Sequence, residues 1–449
     1  MKSNLSKFIF ATSLLVVVLL ASCKKDEPAP IVKTPTTGET ITITDDGNGI
    51  GTTTWKAINI YVLDGFCFVN DGQTLTIEAG TVIKAKSGEG ADASALIIAK
   101  GGKIMAEGTA TKPIIFTAEA DDLKGNVPND ARGLWGGVIV LGKAVLNTVP
   151  TEQQIEGIPT TELRGSYGGT NDADNSGVLK YISIRHGGTN IGEGNEINGL
   201  TLGAVGAATQ IDYIEILSTA DDGIECFGGK PNLKHVVINN VGDDGLDYDQ
   251  GFRGNVQFYL VLGATDGDKG AEQDGGTSPE DGTPYALPTI YNATYIGDNT
   301  STENSVMCFR DNAGGNYYNS IFVNFAKGID IEKLATGEDS YNRFSNGELK
   351  IENNVFYNIN SQTSLNANEN TFLYSKGAGS DATSNAALAT YFTTSNNSVA
   401  NPGVSASNPV PTTPQTANMA SYTSGFDAVT YKGAFGTTNW AQGWTLTFE

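Results

Sequence analysis

Histidine is almost missing from this chain: His186 and His235 are the only two in 449 residues. That excludes a His-rich metal centre, and no Ser/His/Asp arrangement can be assembled around either one. His235 falls inside a strand before two valines read as inward-facing, and His186 lies in an Arg-His-Gly-Gly turn. Cysteine is scarce too. Setting Cys23 aside, the remaining Cys67, Cys226 and Cys308 are an odd number, which argues against a disulfide framework. Basic residues are few: 28 Lys and Arg stand against 50 Asp and Glu, a net charge of −22. Such a chain repels nucleic acid and anionic membrane surfaces, so nucleic-acid binding is excluded. Long apolar runs are absent apart from Phe8–Leu20, which is too short to span a bilayer. What is plentiful is glycine, 55 residues of it, spread among Asn, Thr and Asp, a composition suited to extended structure with many turns.

The apolar run follows Lys2 and Lys7 and ends in Leu20-Ala21-Ser22-Cys23, the layout of a secretory signal. The small residues before Cys23 resemble the bacterial lipobox, which implies cleavage after residue 22 and lipidation of Cys23. Lys24-Lys25-Asp26-Glu27 resembles the surface-export signal of Bacteroidota lipoproteins. The expected location is therefore the outer membrane, on the cell surface, with the lipid as anchor. Residues 23–40, rich in Pro and Thr, read as a tether, and 41–74 as short strands closing the end of the folded part.

From 75 to 360 one pattern recurs. Ile211-Asp212-Tyr213-Ile214-Glu215-Ile216-Leu217 leads to Asp221-Asp222-Gly223-Ile224-Glu225-Cys226-Phe227. Leu233–Ile238 then leads to Asp243-Asp244-Gly245-Leu246-Asp247-Tyr248-Asp249, and Val256–Val261 to Asp268-Lys269-Gly270-Ala271-Glu272-Gln273-Asp274. A short strand, a Gly/Asp turn and a second short strand at this period predict an all-β solenoid with three-sided coils. Two stretches break the period, 148–177 and 275–288, and read as long side loops, the usual carriers of function on such a scaffold. Residues 361–421 read as a low-complexity covering layer, and the aromatics Tyr431, Phe435, Trp440, Trp444 and Phe448 as a C-terminal cap. On this alignment Cys226 and Cys308 take the same strand position three rungs apart, ~14 Å, too far to bridge.

Thr-Ile-Glu-Ala-Gly-Thr-Val-Ile (76–83), Gly-Leu-Trp-Gly-Gly-Val (133–138) and the Asp-Asp-Gly rungs together resemble the right-handed parallel β-helix of the pectin-lyase-like superfamily. More narrowly, they resemble outer-membrane lipoproteins of Bacteroidota. The resemblance implies the fold. It is weak for activity, because the superfamily includes lyases, hydrolases, adhesins and structural proteins. The Gly-His-Gly and Arg-Ile-Lys motifs of polygalacturonases have no counterpart at suitable places.

Aligning the rungs on Gly223, Gly245 and Gly270 sorts the side chains into columns. Ile224, Leu246 and Ala271 point inward, as do Cys226, Tyr248 and Gln273. Glu225, Asp247 and Glu272 form one outward column, and Phe227, Asp249 and Asp274 the next. With Asp221, Asp222, Asp243, Asp244 and Asp268 in the turns, ten carboxylates share one side of three rungs. Rungs are ~4.8 Å apart, and like charges opposed at that spacing repel. Two compensators fit. Ca²⁺ could be bound by Asp247, Asp249, Glu272 and Asp274, or Lys269, Arg253 and Arg310 could fold over the ladder. The turn aspartates also have a plain reading as Asx-turn formers.

The functional expectation is a non-catalytic surface lipoprotein. Its rigid groove would bind a glycan or a partner outer-membrane protein, with Asp221, Glu225, Asp243, Asp249 and Asp274 as binding residues. The alternative is a Ca²⁺-assisted polysaccharide lyase or glycoside hydrolase acting on acidic polysaccharide. Its catalytic candidates are Asp222, Asp244, Asp247, Lys269, Arg253 and Arg310.

Overall fold

A computed structural model describes residues 38–192, 195–263, 266–365 and 371–449. The expected signal (1–22), lipidated Cys23 and nearly all of the tether lie outside the described residues. Among the described residues, no helix is long and apolar enough to cross a membrane.

The chain winds as a three-sided, right-handed parallel β-helix. One face is a ten-stranded parallel sheet running from Phe66–Val69 to Leu373–Lys376. Strands such as Thr74–Ile77 and Val82–Ala85 belong to the ladders of the other two faces, one opening at Thr53–Trp55 and the other at Thr40–Ile43. In the middle of the molecule these two faces fuse into strands of eight or nine residues, Gly177–Arg185, Gln210–Leu217, Asn232–Asn239, Asn255–Leu262 and Thr289–Ile296. Each fused strand bends at one residue with left-handed backbone: Tyr181, Tyr213, His235, Phe258 and Asn292, with φ between 49° and 58°. Pairing skips the bend, so that Lys180 faces Asp212 and Ile182 faces Ile214. A non-glycine residue there costs roughly 1–2 kcal/mol. The side chains offset that cost by stacking outside the coil: Tyr181 on Tyr213 and Tyr213 on His235 at 4.2 Å, and His235 on Phe258 at 4.9 Å.

Inward residues of all three faces make one continuous core. Leu200, Ile224 and Leu246 stack in register, as do Leu202, Cys226 and Tyr248, all fully buried. Each buried Leu or Ile contributes about 1.5–3 kcal/mol relative to exposure. Cys67, Cys226 and Cys308 are free and buried.

Four expectations change. First, residues 41–74 already follow the coil: Thr40–Ile43 pairs in parallel with Ile60–Leu63, and Phe66–Val69 with Ala95–Ile98. Second, Cys308 stands opposite Glu272, in the outward column, and Phe309 opposite Gln273. Its rung carries Val306 where the others carry glycine, which removed the anchor for the alignment. Third, part of the supposedly loose 361–421 region is the helix Ala382–Thr394, opened by an Asp381 capping box. Its Leu388 and Phe392, one turn apart, close the core at the C-terminal end, with Phe392 stacked on Phe372 at 4.8 Å. Fourth, the aromatic C-terminal segment covers the flank of the coil. Trp444 meets Tyr181 and Tyr213 edge-on, Trp440 meets His235, and Phe435 joins Val237, Leu260 and Ile296 in a second apolar cluster. Val237 therefore points outward into that cluster, and only Val236 into the main core.

Candidate cation-binding face

The outer side of the ten-stranded sheet is split along its length. Its earlier rungs present Phe68, Ile97, Ile139 and Leu141, all buried beneath the 148–177 loop, whose Ile155, Ile158 and Tyr167 pack on them. Arg164 of that loop lies 3.9 Å over the Phe68 ring and pairs with Asp45 at 2.7 Å. The loop is thus packed down as a cover, held by apolar contact and an ion pair.

Beyond Phe227 the same side turns acidic, and the columns read from the sequence are those observed. Ile224 pairs with Leu246, Glu225 with Asp247, Asp247 with Glu272, and Phe227 with Asp249. The glycine column that sets this register is sterically required. A Cβ on Gly245 would come within 2.6 Å of the Gly270 carbonyl oxygen and of Val261 Cγ1.

The turn aspartates staple successive rungs. Asn198 Oδ1 accepts from the Asp222 amide, Asp222 Oδ1 from the Asp244 amide at 2.8 Å, and Asp244 Oδ1 from the Lys269 amide at 2.7 Å. Each side chain reaches one coil further along, so the Asp-Asp-Gly repeat builds the stack as well as the charge. Asp221 is half-buried, whereas Asp243 and Asp268 are exposed.

Lys269 and Arg310, the bases beside the acidic columns, are both engaged. Lys269 binds Asp268, Asp244 and, at 2.5 Å, Glu272. Arg310 binds Glu272 and, at 2.7 Å, Asp274. Burial works against the charge of both, yet Asp244 and Glu272 raise Lys269, and Asp274 raises Arg310, above their ordinary values. Arg253 is elsewhere. It pairs with Asp172 at 2.8 Å and donates to the Val145 and Gly251 carbonyls, tying down the long loop, which removes it from the catalytic candidates on the ladder.

The expected four-residue Ca²⁺ set does not gather. Asp249 turns to Thr277 Oγ1 at 2.7 Å and to the Gln250 amide, and Glu272 and Asp274 are taken by Lys269 and Arg310. The fourth residue, Asp247, joins Asp222 and Glu225 instead, with ligand oxygens all within 4.8 Å of one another. Asp222 and Glu225 are more than nine-tenths buried. Asp247 Oδ1 is shielded from solvent and meets no hydrogen-bond donor. Burial, then Asp247 and Asp221, push Asp222 well above the usual carboxylate range; burial and Glu156 do so for Glu225; burial and Asp274 for Asp247; burial and Asp222 for Asp244. Burial raises Asp243 and Asp249 as well, and burial with Glu196 and Glu156 brings Asp221 to about 7. Asp274 also reaches about 7, where burial outweighs Arg310.

Two buried carboxylates and a half-buried third with an orphan oxygen fit a hard divalent cation. All the donors are oxygen, and a cation would relieve both the mutual repulsion and the missing hydrogen bond. Asn198 and Glu156, which sequence reading did not single out, border this trio: Asn198 Nδ2 donates to Glu225 Oε2 at 2.5 Å and lies 3.4 Å from Glu156 Oε1. Glu156 arrives on the covering loop between Ile155 and Ile158, and only that apolar flank hints that it is held down. A second trio, Glu280, Asp311 and Glu332, gathers where the 275–288 loop meets later rungs.

No curated protein and no solved structure matches the chain. A family model described as a pectate-lyase-like β-helix domain matches residues 47–445, from the first coil to the flanking aromatic segment. With three parallel faces and that match over most of its length, the chain belongs to the pectate-lyase-like β-helix family.

Proposed function

We propose that this protein is a non-catalytic binding module, lipid-anchored through Cys23 on the outer face of the outer membrane. On this reading its acidic face takes up Ca²⁺ through Asp222, Glu225 and Asp247 and presents a glycan-binding surface. A partner outer-membrane protein is the other ligand open to it. The observation that carries the reading is the pairing of a carboxylate trio that holds one orphan oxygen with committed bases. Asp247 Oδ1 lacks a partner, while Lys269 and Arg310 are locked in ion pairs that hold their protons. A lyase needs a base that gives up its proton near neutral pH, and neither residue is placed to do so.

When bound, the ion supplies a point of positive charge for sugar hydroxyls or carboxylates. Lys269 and the turn aspartates keep the rungs in register beneath it. The test is a glycan array probed with the mature protein in Ca²⁺ and in chelator, alongside pull-down from native membranes. Ca²⁺-dependent capture of a glycan supports the reading, and capture of neither glycan nor membrane protein rejects it.

One observation favours a second reading, a polysaccharide-cleaving enzyme. Asp221, at about 7, lies with Asp222 and Asp243 inside a 4.8 Å cluster, so a protonated acid stands beside further carboxyl groups. Release of unsaturated or reducing ends from uronate polymers, lost in Asp221→Asn, would establish it over the first.

A further inference from the structure

Six arginines occur in the chain, and all are described. Five of them pair with carboxylates: Arg132 with Asp266, Arg164 with Asp45 and Glu162, Arg253 with Asp172, Arg310 with Glu272 and Asp274, and Arg343 with Glu338 and Glu348. Arg185 is the exception, although it is the most buried of the six at 3% exposure. Its Nε donates to Ser183 Oγ at 2.7 Å. Its two terminal nitrogens meet no acceptor among the described residues. These donors are not sealed off: they open on a cavity, where a bound anion would replace water as their partner.

Arg185 lines a cavity of about 250 Å³ between the 121–129 loop and the end of the flanking C-terminal segment. Lys124 and His186 share the wall, with Leu446, Asp121 and Glu449. The acids nearby are mostly spent. Asp121 accepts from Thr117 Oγ1 and the Leu123 amide, both at 2.7 Å. Glu215, one hydroxyl away, accepts from Ser183 Oγ and from the Leu446 and Thr447 amides. Glu449 is exposed at the rim, as is Lys124. His186 Nδ1 is 2.7 Å from the Ala131 carbonyl and therefore carries a hydrogen.

We propose that this cavity is a binding site for a small oxyanion, a carboxylate or sulfate group, held by the terminal nitrogens of Arg185 and by Lys124. The planar guanidinium fork matches two acceptor oxygens, and a compact ammonium adds a second positive charge from the opposite loop. A group bound there would bridge the 121–129 loop to the segment carrying Leu446. The site shares no residue with the acidic face and stands or falls separately from it.

The test is calorimetric titration of the mature protein with sulfate, acetate and glucuronate at constant ionic strength, with chloride and neutral glucose as references. At least one oxyanion is expected to bind wild type. The affinity should fall about tenfold or more in Arg185→Gln and about threefold in Lys124→Ala. Glucuronate binding alone places the group on a sugar acid, whereas equal response to sulfate and acetate places it on a free anion. Lys124 is exposed, so Lys124→Ala folds even where Arg185→Gln does not. No oxyanion binding above chloride, or unchanged affinity in Lys124→Ala, overturns the proposal.

Discussion

Replacing Asp247 with Asn separates a cation site from a merely acidic surface. In the trio of Asp222, Glu225 and Asp247, every pair of ligand oxygens lies within 4.8 Å. Two unit charges at that distance repel by about 0.9 kcal/mol in water and about 3.5 kcal/mol at an effective dielectric of 20. Without metal, that repulsion and burial already hold Asp247 well above the usual carboxylate range, and Asp247→Asn removes the group that resists ionisation and supplies a donor near its neighbours, so stability at pH 7.5 should hold or rise. With metal, wild type gains what the variant cannot. At 1 mM Ca²⁺ and a Kd of ~10 µM the gain is about 2.7 kcal/mol. An unfolding entropy of roughly 2.1 cal/mol/K per residue, over about 400 folded residues, converts that to a rise in Tm of ~3 °C. Calorimetry in chelator and in Ca²⁺, on both proteins, reads all four values. The pH dependence adds a check. Asp221 and Asp274 titrate near 7 in the fold against 3.8 as free groups, so the folded chain holds these protons more tightly than the unfolded one. Stability of the metal-free protein should therefore decline as pH rises from about 4 to about 7, and Ca²⁺ should flatten that decline. An unchanged wild-type Tm in Ca²⁺, or an equal rise in Asp247→Asn, refutes the reasoning.

Three further outcomes are expected. Lys269→Met strands Asp244 and leaves Glu272 with Arg310 alone, both acids being more than nine-tenths buried, and should cost about 3–5 kcal/mol in chemical denaturation; a loss below 1 kcal/mol would show the pairs to be superficial. Glu215→Gln weakens three hydrogen bonds, from Ser183, Leu446 and Thr447, and should expose the C-terminal segment to protease while the coil stays intact. Burial lowers Lys432 from 10.5 to about 8, so its proton is held less tightly in the fold. Stability from this residue should rise between pH 8 and 10.5, and Lys432→Met should abolish that slope.

The coil and its acidic columns could be read in advance because glycine marks each turn and side chains alternate strictly between two faces. Where the marker changes, as at Val306, the reading slipped by one residue and turned Cys308 the wrong way. The ligand trio escaped for a different reason: column position says which way Asp249 and Glu272 face, not that Thr277 and Lys269 already hold them. Loops hid most. Glu156 lies on a covering segment with no period, and the helix Ala382–Thr394 buries only a narrow stripe of an otherwise polar surface. The flanking aromatics were visible, but their partners were not, because Tyr181, Tyr213 and His235 face outward only through their left-handed bends.

That flanking segment changes how the molecule should respond to force. A stack of coils is linked only neighbour to neighbour, so it can peel from a loose end one rung at a time. Here the chain doubles back along the stack. Asn418 bonds Asn319, Ala434 bonds Thr294, Asp427 bonds Gln257 and Lys234, Trp440 meets His235, and the Leu446 and Thr447 amides end on Glu215. These contacts span five consecutive rungs and act like a bolt through a pile of plates. Unfolding of this block should be all-or-none, and a force applied at residue 38 would strip the early coils while the bolted half holds.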